Sequence, residues 1–150
     1  MARSFSTATL TVKLQENIVL GGQNMGSLNS FSVSGIKNVV KRLMTATTAG
    51  ASILTFHNSE EAAGQYIEAN VRYIRITNLD DTNFIVIQFT DESSHHCELK
   101  LEAGKTLMFG DVSSVDDQAD IDNFSASTIT KVIAKADTAD VDIEVYIASL

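Results

Sequence analysis

A chain of 150 residues in which 44% are hydrophobic and none is proline is long enough to bury its own core as one domain, without disulfide or metal staples. Its 19 acidic residues against 11 basic ones leave a net charge of −8, which repels phosphate backbones and sets nucleic acid aside as a partner. A single cysteine, Cys97, excludes an intramolecular disulfide and fits assembly in a reducing cytosol. No run approaches 18 apolar residues and the N-terminus lacks a continuous apolar stretch, so neither a membrane span nor an export signal is expected.

In chain order, residues 1–8 are small and hydroxylated and read as an arm that something else must pin. The single domain expected over residues 9–150 begins with Thr9 to Leu14, where Leu10, Val12 and Leu14 share one face and Thr9, Thr11 and Lys13 the other, as in a half-buried antiparallel strand. Ile18-Val19-Leu20 runs into Gly21-Gly22, a tight hairpin turn. Asn29 to Ser34 alternates again. Between Ile36 and Met44 the apolar spacing fits either a helix or a strand, and the clustering of β-branched residues favours strand. Ala51 to His57 is a further short strand. Asn58 to Gly64 carries an N-cap residue and acidic first-turn residues, enough for one helical turn; a loop across the end of the fold is the equal alternative.

Residues Val71 to Phe89 hold two apolar runs about a polar knot, Asn78 to Asn83, and read as a β-hairpin. Ile74 and Ile76 share a face with Ile85, Ile87 and Phe89, while Phe84 and Val86 make the second arm apolar on both sides, as in a central strand. Asp91 to Ser94 is a turn, Glu98 to Leu101 alternates, and Glu102 to Lys105 reads as a hairpin onto Thr106 to Phe109. Residues 110–127 form a long acidic loop. Ile129 to Lys135, a turn at Asp137 to Asp140, and the strand Val141 to Ile147 complete the chain.

Eight to ten short strands, at most one short helix and no βαβ alternation predict an all-β antiparallel sandwich, jelly-roll-like. Its expected core is Ile74, Ile76, Ile85, Ile87, Leu99, Leu101, Val141, Ile143 and Val145.

No arrangement of residues makes a reaction centre. His95 and Cys97 share a strand face but His96 points away, which leaves too few converging ligands for zinc. The alternating Asp116, Gln118, Asp120 and Asp122 superficially resemble a calcium loop, yet they lack the central Gly and the bidentate Glu of an EF-hand. There is no nucleophile elbow, and Cys97 and His96 lie on opposite faces. No catalytic, metal or cofactor-binding residue is assigned, and no cofactor is expected.

Several blocks together resemble the small β-sandwich virion proteins of tailed bacteriophages. They are the Thr9 to Leu14 strand followed by Gly21-Gly22, the stretch Val71 to Phe84, the Leu101-Glu102-Ala103-Gly104-Lys105 turn, and the ending Val132 to Thr138 with Val141 to Ile147. The resemblance implies a non-enzymatic part of the particle, assembled in the host cytoplasm. A capsid decoration or cement protein on the outside of the head ranks first, and a tail or head-to-tail connector component second. Its implied partner is the major capsid protein, and strand edges that need covering point in addition to a homo-oligomer, a trimer on a capsid or a ring or trimer in a tail. A calcium-dependent or carbohydrate-binding recognition module is the competing class, since a jelly roll would serve it equally.

Overall fold

The computed structural model describes residues 6–57, 64–110 and 129–150, and most of them are β-strand. In chain order the first four strands are β1 (Ala8–Gln15), β2 (Val19–Leu20), β3 (Gln23–Asn24) and β4 (Leu28–Ile36). The body follows with β5 (Asn38–Ala46), β6 (Ala51–His57), β7 (Gln65–Ile67), β8 (Val71–Asn78) and β9 (Ile85–Asp91). It is completed by β10 (His96–Leu101), β11 (Thr106–Gly110), β12 (Ile129–Ala136) and β13 (Val141–Ser149). One 3-10 turn, Glu68–Asn70, precedes β8. Between Ile36 and Met44 the chain is strand and not helix, as its β-branched residues predict, with a break at Lys37 between β4 and β5.

Two sheets make the body, in the spatial orders β10-β9-β12-β6-β7 and β11-β8-β13-β5. All their pairings are antiparallel except β6 with the short β7. Eight of these strands pair first with last and so inward: β5 with β13, β6 with β12, β8 with β11, and β9 with β10. The long ribbon so formed is wrapped until β13 meets β8 and β12 meets β9, which closes each sheet. That is the jelly-roll arrangement.

The inward faces meet in one apolar core. Ile76, Ile85, Ile87, Leu101, Val141, Ile143 and Val145 are buried there as expected, beside Ile53, Leu54, Val132 and Ile147. Two expected core residues differ. Ile74 is half-buried and packs against the cluster from its margin, and Leu99 is 40% exposed because β10 ends its sheet and, among the described residues, no strand covers its outer side.

The Val71 to Phe89 stretch is not a hairpin. β8 and β9 lie in opposite sheets, and the polar knot between them carries the chain across the sandwich. The Glu102 to Lys105 turn does the same between β10 and β11, as do the connections from β5 to β6 and from β12 to β13. Periodicity cannot distinguish a hairpin from such an arch, since both join two alternating runs through turn residues. By contrast β9 and β10 do form a hairpin, with Thr90 opposite His96. The expected helical turn over 58–64 falls almost wholly outside the described residues.

The arches are joined to one another. Asn78, wholly buried on the core-facing side of β8, donates from Nδ2 to the carbonyls of Asn83 (2.9 Å) and Leu101 (3.3 Å). Its Oδ1 accepts the Asp80 amide at 3.0 Å, and its own backbone N–H reaches the Lys105 carbonyl at 2.9 Å. Leu79 N–H bonds to the Asp142 carbonyl, Asp137 N–H to the Phe84 carbonyl and Ala136 N–H to the Thr47 carbonyl. An amide side chain with three hydrogen bonds leaves little of its polar capacity unmet, which is what makes its burial tolerable.

Asn78→Ala strands buried partners in two arches, at roughly 1–3 kcal/mol for each group left unsatisfied. Chemical denaturation should show a loss of about 3 kcal/mol, whereas the exposed Thr82→Ala should stay within about 0.5 kcal/mol of the parent. Asp80 offers a second test. Backbone N–H groups of Asn83 and Thr82 donate to its Oδ1 and hold its carboxyl below the usual carboxylate range. A carboxyl lowered in the folded state stabilises above its unfolded value, near about pH 4, and loses that contribution as pH falls through the folded one. The gap in melting temperature between the parent and Asp80→Ala should therefore be widest at neutral pH and narrow in acid.

Candidate functional site

The first four strands stand apart from both body sheets as one ribbon. β1 and β4 pair antiparallel from Ala8 opposite Ile36 to Gln15 opposite Leu28, with a bulge between Ala8 and Leu10. Beyond them the ribbon continues through Glu16 N–H to the Ser27 carbonyl, Met25 N–H to the Ile18 carbonyl, and the β2–β3 pair. It ends at Gly21 and Gly22, both with positive φ (59° and 80°), the backbone that a two-residue hairpin turn demands and that glycine supplies without strain.

Opposed residues of an antiparallel pair share a face, so Leu10 with Val33, Val12 with Phe31 and Leu14 with Asn29 lie on one side. Near the body this side is seated. Val33 and Ile36 are buried with Tyr73 and Ala148 on the outward face of the four-stranded sheet, and Leu10, Val12 and Tyr146 pack against them. Phe31 meets Tyr73 with centroids 6.3 Å apart, Tyr73 meets Tyr146 edge-on at 5.8 Å, and the Arg75 guanidinium lies 5.6 Å from the Tyr146 ring. Burial pushes the Tyr73 phenol up.

Farther out the cover ends. Exposure rises from 6% at Val33 to 39% at Phe31, 47% at Leu14 and 69% at Leu20, and Ile18, Val19, Met25 and Leu28 are exposed as well. From Leu14 to Leu20 the ribbon extends roughly 20 Å at the usual strand rise. Between Leu14 and Phe31 the only charged residue is Glu16, whose carboxylate accepts the Ser27 hydroxyl. A projecting aliphatic ribbon whose single charge is Glu16, on a chain of charge −8, is the most distinctive surface among the described residues.

Beside the ribbon seat, the same outward face carries charge. Glu144 lies 2.9 Å from Lys41 Nζ and is hydrogen-bonded by Arg75; Lys41 chiefly, with Arg75, holds its carboxyl below the usual range. Next to this group Val39 and Leu43 of β5 are exposed, Leu43 at 74%.

An apolar cavity of about 300 Å³ lies between the sheets, lined by Phe56, Ile74, Phe89, Leu99, Phe109 and Val132, with Glu68, Arg72 and Cys97 as its polar members. Burial, reinforced by nearby Glu92, pushes the Glu68 carboxyl up. Among the described residues, the lining holds no nucleophile and base within hydrogen-bond reach of each other.

The residues weighed as ligands are dispersed. His95 Nδ1 lies 3.2 Å from Asp91 Oδ2, and the His95 backbone N–H donates to Asp91 Oδ1 at 2.8 Å, so this histidine braces the β9–β10 turn. His96 opens β10, and Cys97 is exposed at the cavity. Among the described residues no three His, Cys, Asp or Glu side chains converge as a metal centre requires. Asp116 to Asp122 lie outside the described residues. Comparison of the chain with protein families, curated proteins and solved structures finds no match.

The ribbon was only half legible in the sequence. Alternation at Leu10, Val12 and Leu14 and the Gly21-Gly22 turn are both present, but they read as part of the sandwich. The signal that sets the ribbon apart is apolar side chains on both sides of the glycine pair, Ile18 to Leu20 and Met25, with almost no charge among them.

Replacement at the tip and at the seat should separate the two halves of the ribbon. Leu20→Asp should leave the unfolding free energy within about 0.5 kcal/mol of the parent and lower the binding of a hydrophobic dye. Val33→Asp should raise amide exchange across residues 8–36 while β5 to β13 stay protected.

Proposed function

We propose that this chain is a non-enzymatic structural protein of a tailed-phage virion, and that it decorates the outside of the head. The observation that carries this reading is a compact jelly roll bearing one projecting apolar ribbon. The body resists and the ribbon adheres, which is the division of labour a cement protein needs. Jelly rolls serve in viral capsids, although fold alone does not assign function. The charge of −8 favours an outward location over one lined with packaged nucleic acid.

Magnitudes favour action in many copies. From Leu14 to Leu20 the two-stranded ribbon presents a face of roughly 20 by 10 Å, and about 200 Å² of apolar surface is worth about 5 kcal/mol gross. Association alone costs on the order of 4–15 kcal/mol. One ribbon thus cannot hold a particle surface firmly, but a homo-oligomer presenting several can, through effective concentration.

A tail or head-to-tail connector component is the second reading, because a closed ring of such chains would use the same ribbon. A carbohydrate-binding module fits less well: the exposed large hydrophobics among the described residues are aliphatic apart from Phe31, whereas sugar faces stack on aromatic rings. Copy number per particle, measured by quantitative mass spectrometry of purified virions, separates the readings. Hundreds of copies are expected. A count of about 6 to 12, as in a closed ring, would move the protein to the tail, and its absence from virions would end the proposal.

A further inference from the structure

The ribbon is tied to the body by backbone at one level and rests on it by side chains elsewhere. Among the described residues the backbone hydrogen bonds of β1 and β4 run between those two strands, and the first link to the body is Lys37 N–H to the Ser149 carbonyl at 2.9 Å. Just above that link the ladder is interrupted. Ala8 lies opposite Ile36 and Leu10 opposite Val33, so β4 takes three steps where β1 takes two, and Gly35, in the longer stretch, has φ 79°. A bulge built on a glycine of positive φ bends its strand and disrupts pairing locally, which makes this level a hinge. Above it Leu10, Val12 and Val33 pack with Tyr73, Tyr146 and Ala148, and Phe31 meets Tyr73.

The far margin of this seat is electrostatic. Tyr146 stands directly across from Lys41 on one neighbouring strand and from Arg75 on the other. Glu144, two positions earlier on the same face of β13, accepts a hydrogen bond from Arg75 and lies 2.9 Å from Lys41 Nζ. One carboxylate thus draws together the two cations that flank the ring. The contacts then run inward to the ribbon: Arg75 is 5.6 Å from the Tyr146 centroid, Tyr146 is edge-on to Tyr73, and Tyr73 meets Phe31. The other groups around Glu144 do not substitute for it. Leu43 and Thr77, directly opposite, are uncharged; Asp142, on the same face, accepts the Thr45 hydroxyl; and the ribbon turns Leu10, Val12, Phe31 and Val33 toward the seat. Without the carboxylate charge, Lys41 and Arg75 are like charges on either side of one ring, and the guanidinium loses the partner that aligns it with Tyr146.

We propose that the ribbon is a hinged strap and that Glu144 is the positioning residue of its latch. With this carboxylate ionised the strap lies seated. With its charge removed the strap swings off the sheet as a unit about the Gly35 level, while the body stays folded. The distal apolar residues are therefore presented in a fixed direction only while the latch holds. The strap requires the ribbon and its seat and not the virion reading, so either can fail without the other.

Hydrogen exchange measured by mass spectrometry on the purified full chain, corrected for the intrinsic rate at each pH, tests the latch, with β5 to β13 as the internal control for folding. Lys41 chiefly, with Arg75, holds the Glu144 carboxyl below its usual range. The latch is therefore complete above the unfolded value, near about pH 4, and is lost as pH falls through the folded one. In the parent, acid should raise exchange across residues 8–13 and 30–36 before it raises exchange in the body. Glu144→Gln keeps the shape and loses the charge. Its ribbon should exchange about fivefold faster than the parent's at neutral pH, the upper end for a partly exposed ion pair, and should show no separate acid step. Arg75→Met, which removes the group over the Tyr146 ring, should behave likewise. A ribbon that exchanges at the parent rate in both variants, an acid step that survives in Glu144→Gln, or a parent in which ribbon and body lose protection together would overturn the proposal.

Discussion

A single buried amide holds the body together at the place where it is hardest to hold. The connections β5–β6, β8–β9, β10–β11 and β12–β13 are among those that cross between the sheets, and each breaks the ladder on both sides and leaves backbone groups near the core without strand partners. Asn78 answers for two of these crossings at once, reaching Asn83 in its own and Leu101 in the next, while its backbone reaches Lys105. The neighbouring links from Leu79 to Asp142 and from Asp137 to Phe84 extend the lattice across the others. An apolar residue at this position would continue the inward face of Ile74 and Ile76 and bury more hydrocarbon, but it would leave the crossings unpaired. The fold gives up one core side chain in exchange for closed ends.

That trade also explains what could be read in advance. The strands, their inward faces and the jelly-roll class were legible because period-2 alternation is strong at Ile85 to Phe89 and Val141 to Ile147. Which strand pairs with which was not, because turn chemistry at Asn78 to Asn83 and Glu102 to Lys105 is the same whether the chain doubles back beside itself or passes over to the facing sheet. Asn78 reads as a turn residue and proves to be a core one. Leu99 reads as core and proves to be marginal, since alternation reports a face and not whether a strand stands at the edge of its sheet. As for the candidate site, every residue of the ribbon could be placed in a strand or turn, yet its separation from the body depends on a long-range seat at Tyr73, Tyr146 and Ala148 that no local pattern announces.

The seat and the tip of the ribbon have opposite requirements. Around Tyr73 three aromatic rings and a guanidinium follow one another in tilted and edge-on contact, so the base is fixed in direction by contacts that tolerate little adjustment. Toward Gly21 and Gly22 there is only a two-stranded ladder, marginal by itself in water. The stiff base determines where the tip is presented, and the soft tip can adapt to whatever covers it.

The pairing order has a consequence in time. β5 cannot be completed until β13 arrives, and the contact between Thr45 and Asp142 joins positions 97 apart in sequence. Pairings of that span close slowly, because the loop entropy must be met before any native contact rewards it. The ribbon, in contrast, closes locally, with Thr11 and Ser32 only 21 positions apart. During synthesis both strands of the ribbon are therefore available to pair while its own seat, which needs Tyr146 and Ala148 of β13, does not yet exist. Until β13 is made, the ribbon has only its own two-stranded ladder, marginal in water, and its apolar side chains lack the cover that the finished sheet provides.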